Sequence, residues 1–376
     1  MKTDLVKGFK DYSEEEARRR ANIKNVLAET FESYGFNPVE APMVEYESFV
    51  KGENEKDEAV SDIFKLKDKG KRKLALRYEF TFQLKRLAQN KKLPYRRYQI
   101  GEVFRDEPVT SNRYRQFTQC DVDVVGSTIK DEAEILVITS KIFQRLGIPV
   151  KILVGNRKLL NEILDEQKID KKYKEQVLRE IDKLDKQPEK EIRASLKKFG
   201  AEKILTLLKK PATYFKKYNA YADVEELRKY CGFYGVKIVF VPNLVRGLSY
   251  YNGNVFEIKS SAMKETICAG GAYQINNMQS VGISFGIDRI EKLAKISDEK
   301  DDMLVISIGQ DKEAIKLAEK LREQGKKVMI YYGKPSKALE YANAKKIGEV
   351  IFVGKEEVTS GKFKVKDMAS GNESRL

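Results

Sequence analysis

Apolar residues recur at helical spacing over Ile23, Val26, Leu27, Phe31 and Tyr34, and Gly35 ends the run. Ser13-Glu14-Glu15-Glu16 just ahead of it has the form of a capping box, with Ser13 as N-cap and Glu16 three residues on. The stretch Asn37 to Met43 is extended, and Pro38 and Pro42 confine it to a sheet edge or an interface. A short strand over 74–77 precedes a helix that opens at Thr81. Residues 95–126 then predict a long hairpin. One arm ends at Phe104-Arg105, a turn-rich connector runs from Asp106 to Tyr114, and the return arm spans 115–126. A helix over 131–147 and a strand over 151–154 follow.

From about 156 to 230 the pattern becomes Lys/Glu-rich and helical, as in an inserted helical region. Strands return at 236–241, 254–259 and 281–285, and a helix opens near Gly286. The tail alternates strand 303–308, helix 312–324, strand 327–332, helix 336–346, strand 349–353 and an extended piece at 362–366, which predicts a small α/β domain. No internal repeat interrupts this order.

Composition removes whole classes of chemistry. The chain has 376 residues and no histidine, so Ser-His-Asp and Cys-His catalysis and every His-ligated metal are excluded. Gly282-Ile283-Ser284-Phe285-Gly286 fits the nucleophile-elbow pattern, but no imidazole exists to activate Ser284. Three scattered cysteines, Cys120, Cys231 and Cys268, form neither a disulfide framework nor a metal motif and read as small buried residues. No apolar run reaches the roughly 20 residues that span a bilayer, and Met1 to Asp4 open no signal peptide, so a cytoplasmic protein without membrane contact is expected. The net charge is +15, which suits a polyanionic partner. Residues 151–230 hold 21 lysines and arginines against 14 acids, so the excess is concentrated there.

The return arm is the most informative segment. Side chains alternate faces along a strand, so Phe117, Gln119, Asp121 and Asp123 share one side, opposite Thr118, Cys120, Val122 and Val124. Two neighbouring acids on one face repel unless cations meet them. Arg105, Arg113 and Arg115 belong to the same hairpin and could clamp phosphates, while the carboxylates hold an amine and Phe117 stacks on a base. Neither GxxxxGK[ST] nor a strand-linked GxGxxG is present, so any nucleotide would be bound by arginines on a sheet. Cys268 to Tyr273 is glycine-rich, which fits a strand bend as well as a binding loop.

Phe104-Arg105-Asp106-Glu107 with Arg113-Tyr114-Arg115-Gln116-Phe117 resembles motif 2 of class II aminoacyl-tRNA synthetases, Gly282 to Ile290 resembles motif 3, and Pro42 the motif 1 proline. Leu244 to Tyr251 (LVRGLSYY) resembles the signature of histidyl-tRNA synthetases, Cys268 to Tyr273 their second signature, and Gln119 to Asp123 its archaeal and eukaryotic form. The resemblance implies an α+β fold in four parts. These are a catalytic domain over 1–155 and 236–300 built on an antiparallel sheet flanked by helices, a helical insertion over 156–235 and an α/β anticodon-binding domain over 301–376.

It further implies a homodimer that joins L-histidine to tRNA(His) through histidyl-adenylate, with ATP as substrate and Mg²⁺ as its counter-ion. Glu79, Thr81 and Gln119 would hold the α-amino group. Asp123 and Tyr251 would meet the imidazole, with Tyr250 and Tyr273 lining the same pocket. Arg105 and Arg289 would bind phosphates, Arg113 the γ-phosphate, Phe117 the adenine and Arg246 the reacting α-phosphate, leaving Glu107 as candidate Mg²⁺ ligand. Ala272, Gln274 and Ser249 depart from the family pattern, which has arginine, aspartate and aspartate there. A non-catalytic relative, resembling the regulatory subunit of ATP-phosphoribosyltransferase, would have lost the tail and the motif arginines, which this chain retains.

Overall fold

The computed structural model describes residues 3–52, 60, 62–110, 113–185, 187–245, 250–295 and 302–376. Two compact units divide the chain, 1–296 and 297–376.

The first unit is organised by an eight-stranded sheet. Its strands are β1 (Asn37–Pro38), β5 (Tyr95–Phe104), β6 (Gln116–Val125), β7 (Lys151–Asn156), β8 (Ile238–Phe240), β9 (Asn254–Ser260), β10 (Met263–Ile275) and β11 (Met278–Gly286). A small separate sheet holds β2 (Val44–Tyr46), β3 (Lys65–Lys67) and β4 (Lys73–Leu76). The large sheet runs β1-β5-β6-β11-β10-β9-β7-β8, antiparallel except for the parallel edge pairs β1–β5 and β7–β8. The proline-bearing segment therefore does take an edge, where Pro38 costs no ladder hydrogen bond.

Helices Glu14–Ser33, Ile129–Arg145 and Ile287–Leu293 cover one face of this sheet. Cys120, Val122 and Val124 of β6 point into that core, as the strand alternation requires. Phe285 of β11 is fully buried there, 5.8 Å from Phe31 and 6.0 Å from Phe143 between ring centroids. All three cysteines are buried thiols outside any disulfide. Helices between Arg157 and Lys217 form a second core around Leu160, Ile163 and Phe215, rooted where the Asn156 side chain caps the helix Arg157–Glu166 by accepting from Leu159 N at 2.9 Å. Asn156 in turn donates to Asn254 (2.9 Å), which donates to the buried Glu132 (2.8 Å), and burial pushes that carboxyl up to about 7.

The second unit has the sheet order β13-β12-β14-β15-β16, with β12 (Asp302–Ser307), β13 (Lys327–Tyr332), β14 (Glu349–Val353), β15 (Lys364–Asp367) and β16 (Glu373–Arg375). Its β12, β13 and β14 are parallel, with helices Asp311–Glu323 and Pro335–Ala344 as crossovers.

Several sequence expectations need correction. Ser13 occupies the N-cap without a side-chain hydrogen bond, and the Glu16 carboxylate pairs with Lys10. The helix expected from Thr81 is confined to Leu84–Leu87, preceded by a turn in which Leu84 N donates to Thr81 O (3.0 Å), and the Gln83 side chain donates to Pro42 O (2.9 Å) and Glu45 (2.7 Å). The helix expected from 131 begins at Ile129, with Asp131 accepting from Thr128 N. The glycine-rich stretch is the interior of a 13-residue strand, β10.

Phe285→Ala should cost about 3–5 kcal/mol, the usual loss for a buried phenylalanine. Urea denaturation followed by far-UV circular dichroism measures it, since the chain has no tryptophan. Phe285→Leu should cost clearly less.

Candidate active site

The face of the sheet away from the helices forms the floor of a cleft of about 510 Å³. Phe117, Gln119, Asp121 and Asp123 all line it, so one face of β6 crosses it from end to end. Space above the strands comes from missing side chains. Gly282 of β11 pairs with Asp123, and a Cβ there would lie 2.1 Å from Asp123 Oδ1. A Cβ at Gly271 of β10, opposite Gly282, would lie 2.7 Å from Asn254 O and 2.9 Å from the Tyr251 ring.

One end of the cleft is cationic. Arg105 lies with its guanidinium 5.2 Å from the Phe117 ring centroid and donates to Tyr78 O at 3.2 Å. Glu107 stands between Arg113 (3.3 Å) and Arg105 (3.8 Å). Arg289, on the helix after β11, donates to Thr266 O at 2.6 Å. Its neighbour Asp288 accepts from Tyr12 (2.7 Å), Arg20 (2.9 Å) and Thr118 N (3.0 Å), which locks this helix to β6 and to the N-terminal segment. Arg115 turns away from the cleft to Asp106 at 3.0 Å.

The other end is acidic and dry. Burial pushes the Glu79 carboxyl up to about 7, with Asp121 adding to the rise and Arg105 opposing it. Asp121 is pushed up to about 6, chiefly by burial and then by the Asp123 charge. Gln119 donates to Asp121 at 2.9 Å. Tyr273 donates to Asp123 Oδ1. Tyr250 packs against Tyr251 and Tyr273, with centroids at 4.9 and 5.6 Å, and hydrogen-bonds with Thr81.

The cation that these same-face acids require is one the sequence reading did not name. Arg97 of β5 pairs in register with Asp123, is 0% exposed, and places Nη2 2.8 Å from Asp123 Oδ2. The two atoms are close but not aligned as a hydrogen bond, and among the described residues Arg97 Nε has no partner. Burial lowers and the neighbouring carboxylates raise the guanidinium's pKa, with a net upward shift, so it is always charged. The signal was present: Arg97, Gln99 and Gly101 alternate along the first arm as the acids do along the second.

Glu79, Thr81, Arg105, Glu107, Arg113, Phe117, Gln119, Asp123, Tyr250, Tyr251, Tyr273 and Arg289 thus surround one cleft. Arg246 lies outside the described residues, with Gly247, Leu248 and Ser249. Ser284 sits within β11 and hydrogen-bonds to Asp121, so the elbow-like motif is a strand and not a sharp turn. Ala272 and Gln274 lie on β10, Ala272 buried and Gln274 exposed. Among the described residues no three acids or cysteines gather into a metal cage, and Glu107 is braced by two guanidiniums.

An antiparallel sheet with arginines at one end of its polar face and buried acids at the other, joined to a small α/β unit, defines the class II aminoacyl-tRNA synthetase architecture. The histidyl-tRNA synthetase family profile matches residues 8–290, and that of the anticodon binding domain residues 302–376. The chain belongs to the histidyl-tRNA synthetase family. It is 34% identical to histidine–tRNA ligase 2 of Shouchella clausii, over 99% of this chain and 97% of that one. It is 33% identical to the histidine–tRNA ligase of Wolinella succinogenes, over 98% and 94%. In fold it resembles the histidyl-tRNA synthetase of a Nostoc species, with a TM-score of 0.88 and 24% identity, covering 100% of this chain and 97% of the other. A Bacillus halodurans protein described as an ATP phosphoribosyltransferase regulatory subunit/histidyl-tRNA synthetase gives 0.79 at 21% identity, covering 93% and 98%.

Glu79 binds its proton more tightly in the fold than in the unfolded chain. The stability this brings is complete below about pH 4.5 and is lost as pH rises through about 7. Glu79→Gln should therefore stabilise the ligand-free protein at pH 8, by on the order of 3 kcal/mol at most, and so raise its melting temperature there, with little change at pH 4. Thermal scans at the two pH values check this.

Proposed function

We infer that the chain is a histidine–tRNA ligase that activates L-histidine with ATP and transfers it to tRNA(His). The carboxylate oxygen of histidine attacks the α-phosphorus of ATP, the bond to the β-phosphate breaks, and diphosphate leaves. A hydroxyl of the terminal ribose then attacks the acyl carbon and AMP leaves. The observation that carries this reading is the polarity of one cleft: arginines and Phe117 at one end, buried acids and tyrosines at the other. Phosphates answer guanidiniums, and an ammonium and an imidazole N–H answer carboxylates.

In this reading Glu79, Thr81 and Gln119 bind the α-amino group. Asp123 and Tyr251 receive the imidazole, with Tyr250 and Tyr273 as walls. Arg105 and Arg289 bind phosphates, Arg113 the γ-phosphate, and Phe117 stacks on adenine. Arg246 stabilises the charge that grows on the α-phosphate, a role worth about 10²–10³ in kcat for a preorganised donor. Mg²⁺ enters with ATP as the counter-charge of its β- and γ-oxygens, with Glu107 as candidate ligand. The helical insertion grips the tRNA acceptor arm and the C-terminal unit reads the anticodon. Two copies pair through the segment around Pro42, where Met43, Val44 and Tyr46 are exposed. The proposed setting is the cytoplasm; no helix among the described residues is long and apolar enough to cross a membrane.

Histidine-dependent ATP–diphosphate exchange is the direct test, and its absence with histidine or its presence with another amino acid overturns the reading. Arg246→Ala should lose about 10²–10³ in exchange while keeping its melting temperature, and should transfer preformed histidyl-adenylate to tRNA far less impaired. Charging of tRNA should weaken steeply between 50 and 200 mM salt, because phosphate contacts release counterions, while exchange should change little.

A further inference from the structure

Asp123 would meet the substrate's imidazole, and that ring has two forms near neutral pH. The surroundings of Asp123 bear on which form fits. Arg97 and Tyr95 face it from β5, Asp121 from its own strand, Tyr273 from β10, and Glu79 from the turn after β4, while β11 presents only Gly282 opposite it. Arg97 is fully buried, always charged and 2.8 Å from Asp123 Oδ2. The carboxylate is therefore already neutralised before any ligand arrives. Oδ2 is itself buried, and its contact with Arg97 is not aligned as a hydrogen bond.

An imidazolium here would set a second cation beside a buried guanidinium, with one carboxylate shared between them. The remaining acids do not change this balance. Glu79 and Asp121 carry less than two charges near neutrality, and the substrate's α-ammonium takes up that charge. A neutral ring suits the site better. One N–H goes to Asp123, and the bare nitrogen accepts from a tyrosine hydroxyl. The Tyr250 hydroxyl stays protonated because burial pushes it far up, while the Tyr273 O–H is already given to Asp123.

We propose that Arg97 is a specificity-positioning residue which, by neutralising Asp123 from the neighbouring strand on the same face of the sheet, makes the pocket select the neutral form of the histidine side chain and reject the imidazolium. The proposal rests on the reading of Asp123 as the imidazole partner.

The test uses the full-length chain with side-chain ¹⁵N-labelled L-histidine and no ATP at pH 6, where free histidine is about three quarters imidazolium given a pKa near 6.5. Nitrogen NMR of bound histidine should show one protonated and one bare nitrogen in the wild type, and two protonated nitrogens in Arg97→Met. Arg97→Lys, which keeps the charge, should look like the wild type. An imidazolium bound to the wild type overturns the proposal without any variant, so a variant that fails to fold does not protect it. A neutral ring in folded Arg97→Met removes Arg97 from the selection. Asp123→Ala separates this from the underlying reading. It should raise the histidine KM about 10- to 100-fold with little change in the ATP KM, and an unchanged histidine KM means that the imidazole site itself lies elsewhere.

Discussion

A guanidinium sealed from water on the polar face of a sheet must be answered, and the answer given to Arg97 organises the cleft around it. Removing one member of a buried ion pair costs about 3–5 kcal/mol, so Arg97 and Asp123 are tied to each other's presence. They face each other only in the observed register of β5 and β6. A slip of one residue would turn the acids of β6 into the aliphatic core and carry Val122 and Val124 into the cleft. The same pair explains the glycine next door, since the Asp123 carboxylate occupies the volume where a Cβ of residue 282 would be.

Rigidity comes from the opposite face. Phe285 is clasped by Phe31 and Phe143, one strand from the carboxylates it indirectly steadies. At the cationic end the anchor is polar. Asp288 collects Tyr12, Arg20 and the Thr118 amide, so the helix that carries Arg289 cannot turn without breaking contacts to the sheet and the N-terminal segment together. Arg105 and Arg113 are steadied more loosely, through Glu107 in the connector. The acidic end is thus built into the sheet, and the phosphate end is held by side chains that can still adjust.

Much of this was legible in the chain. The two-residue alternation of 117–123 separates a polar from an apolar face with no knowledge of the fold, and the strand–helix alternation of the tail is equally direct. What was hidden depended on pairing. Arg97 looks like one of several basic residues in Tyr95-Arg96-Arg97-Tyr98 until the hairpin register sets it against Asp123, whereas Arg96 goes to Asp131 and Glu134 on the helical side. Arg115 shows the reverse error, an arginine beside the motif whose geometry sends it elsewhere. Glycines at 270, 271 and 282 weaken every local strand signal, and only cross-strand packing reveals why side chains are excluded there. The helix expected from Thr81 is shorter than its pattern suggests, and its polar residues bond across space, to Tyr250, Pro42 and Glu45.

Near neutral pH proteins ordinarily exchange protons through histidine, and this chain has none. The side chains that burial moves into that range are acids: Glu79 at about 7, Asp121 at about 6, and Glu132 at the root of the helical insertion at about 7. Two of these three line the cleft. Part of the proton exchange near neutrality is thereby carried by the cleft itself, through Glu79 and Asp121. An imidazole resonance recorded from a solution of this protein with its ligand can come only from the ligand.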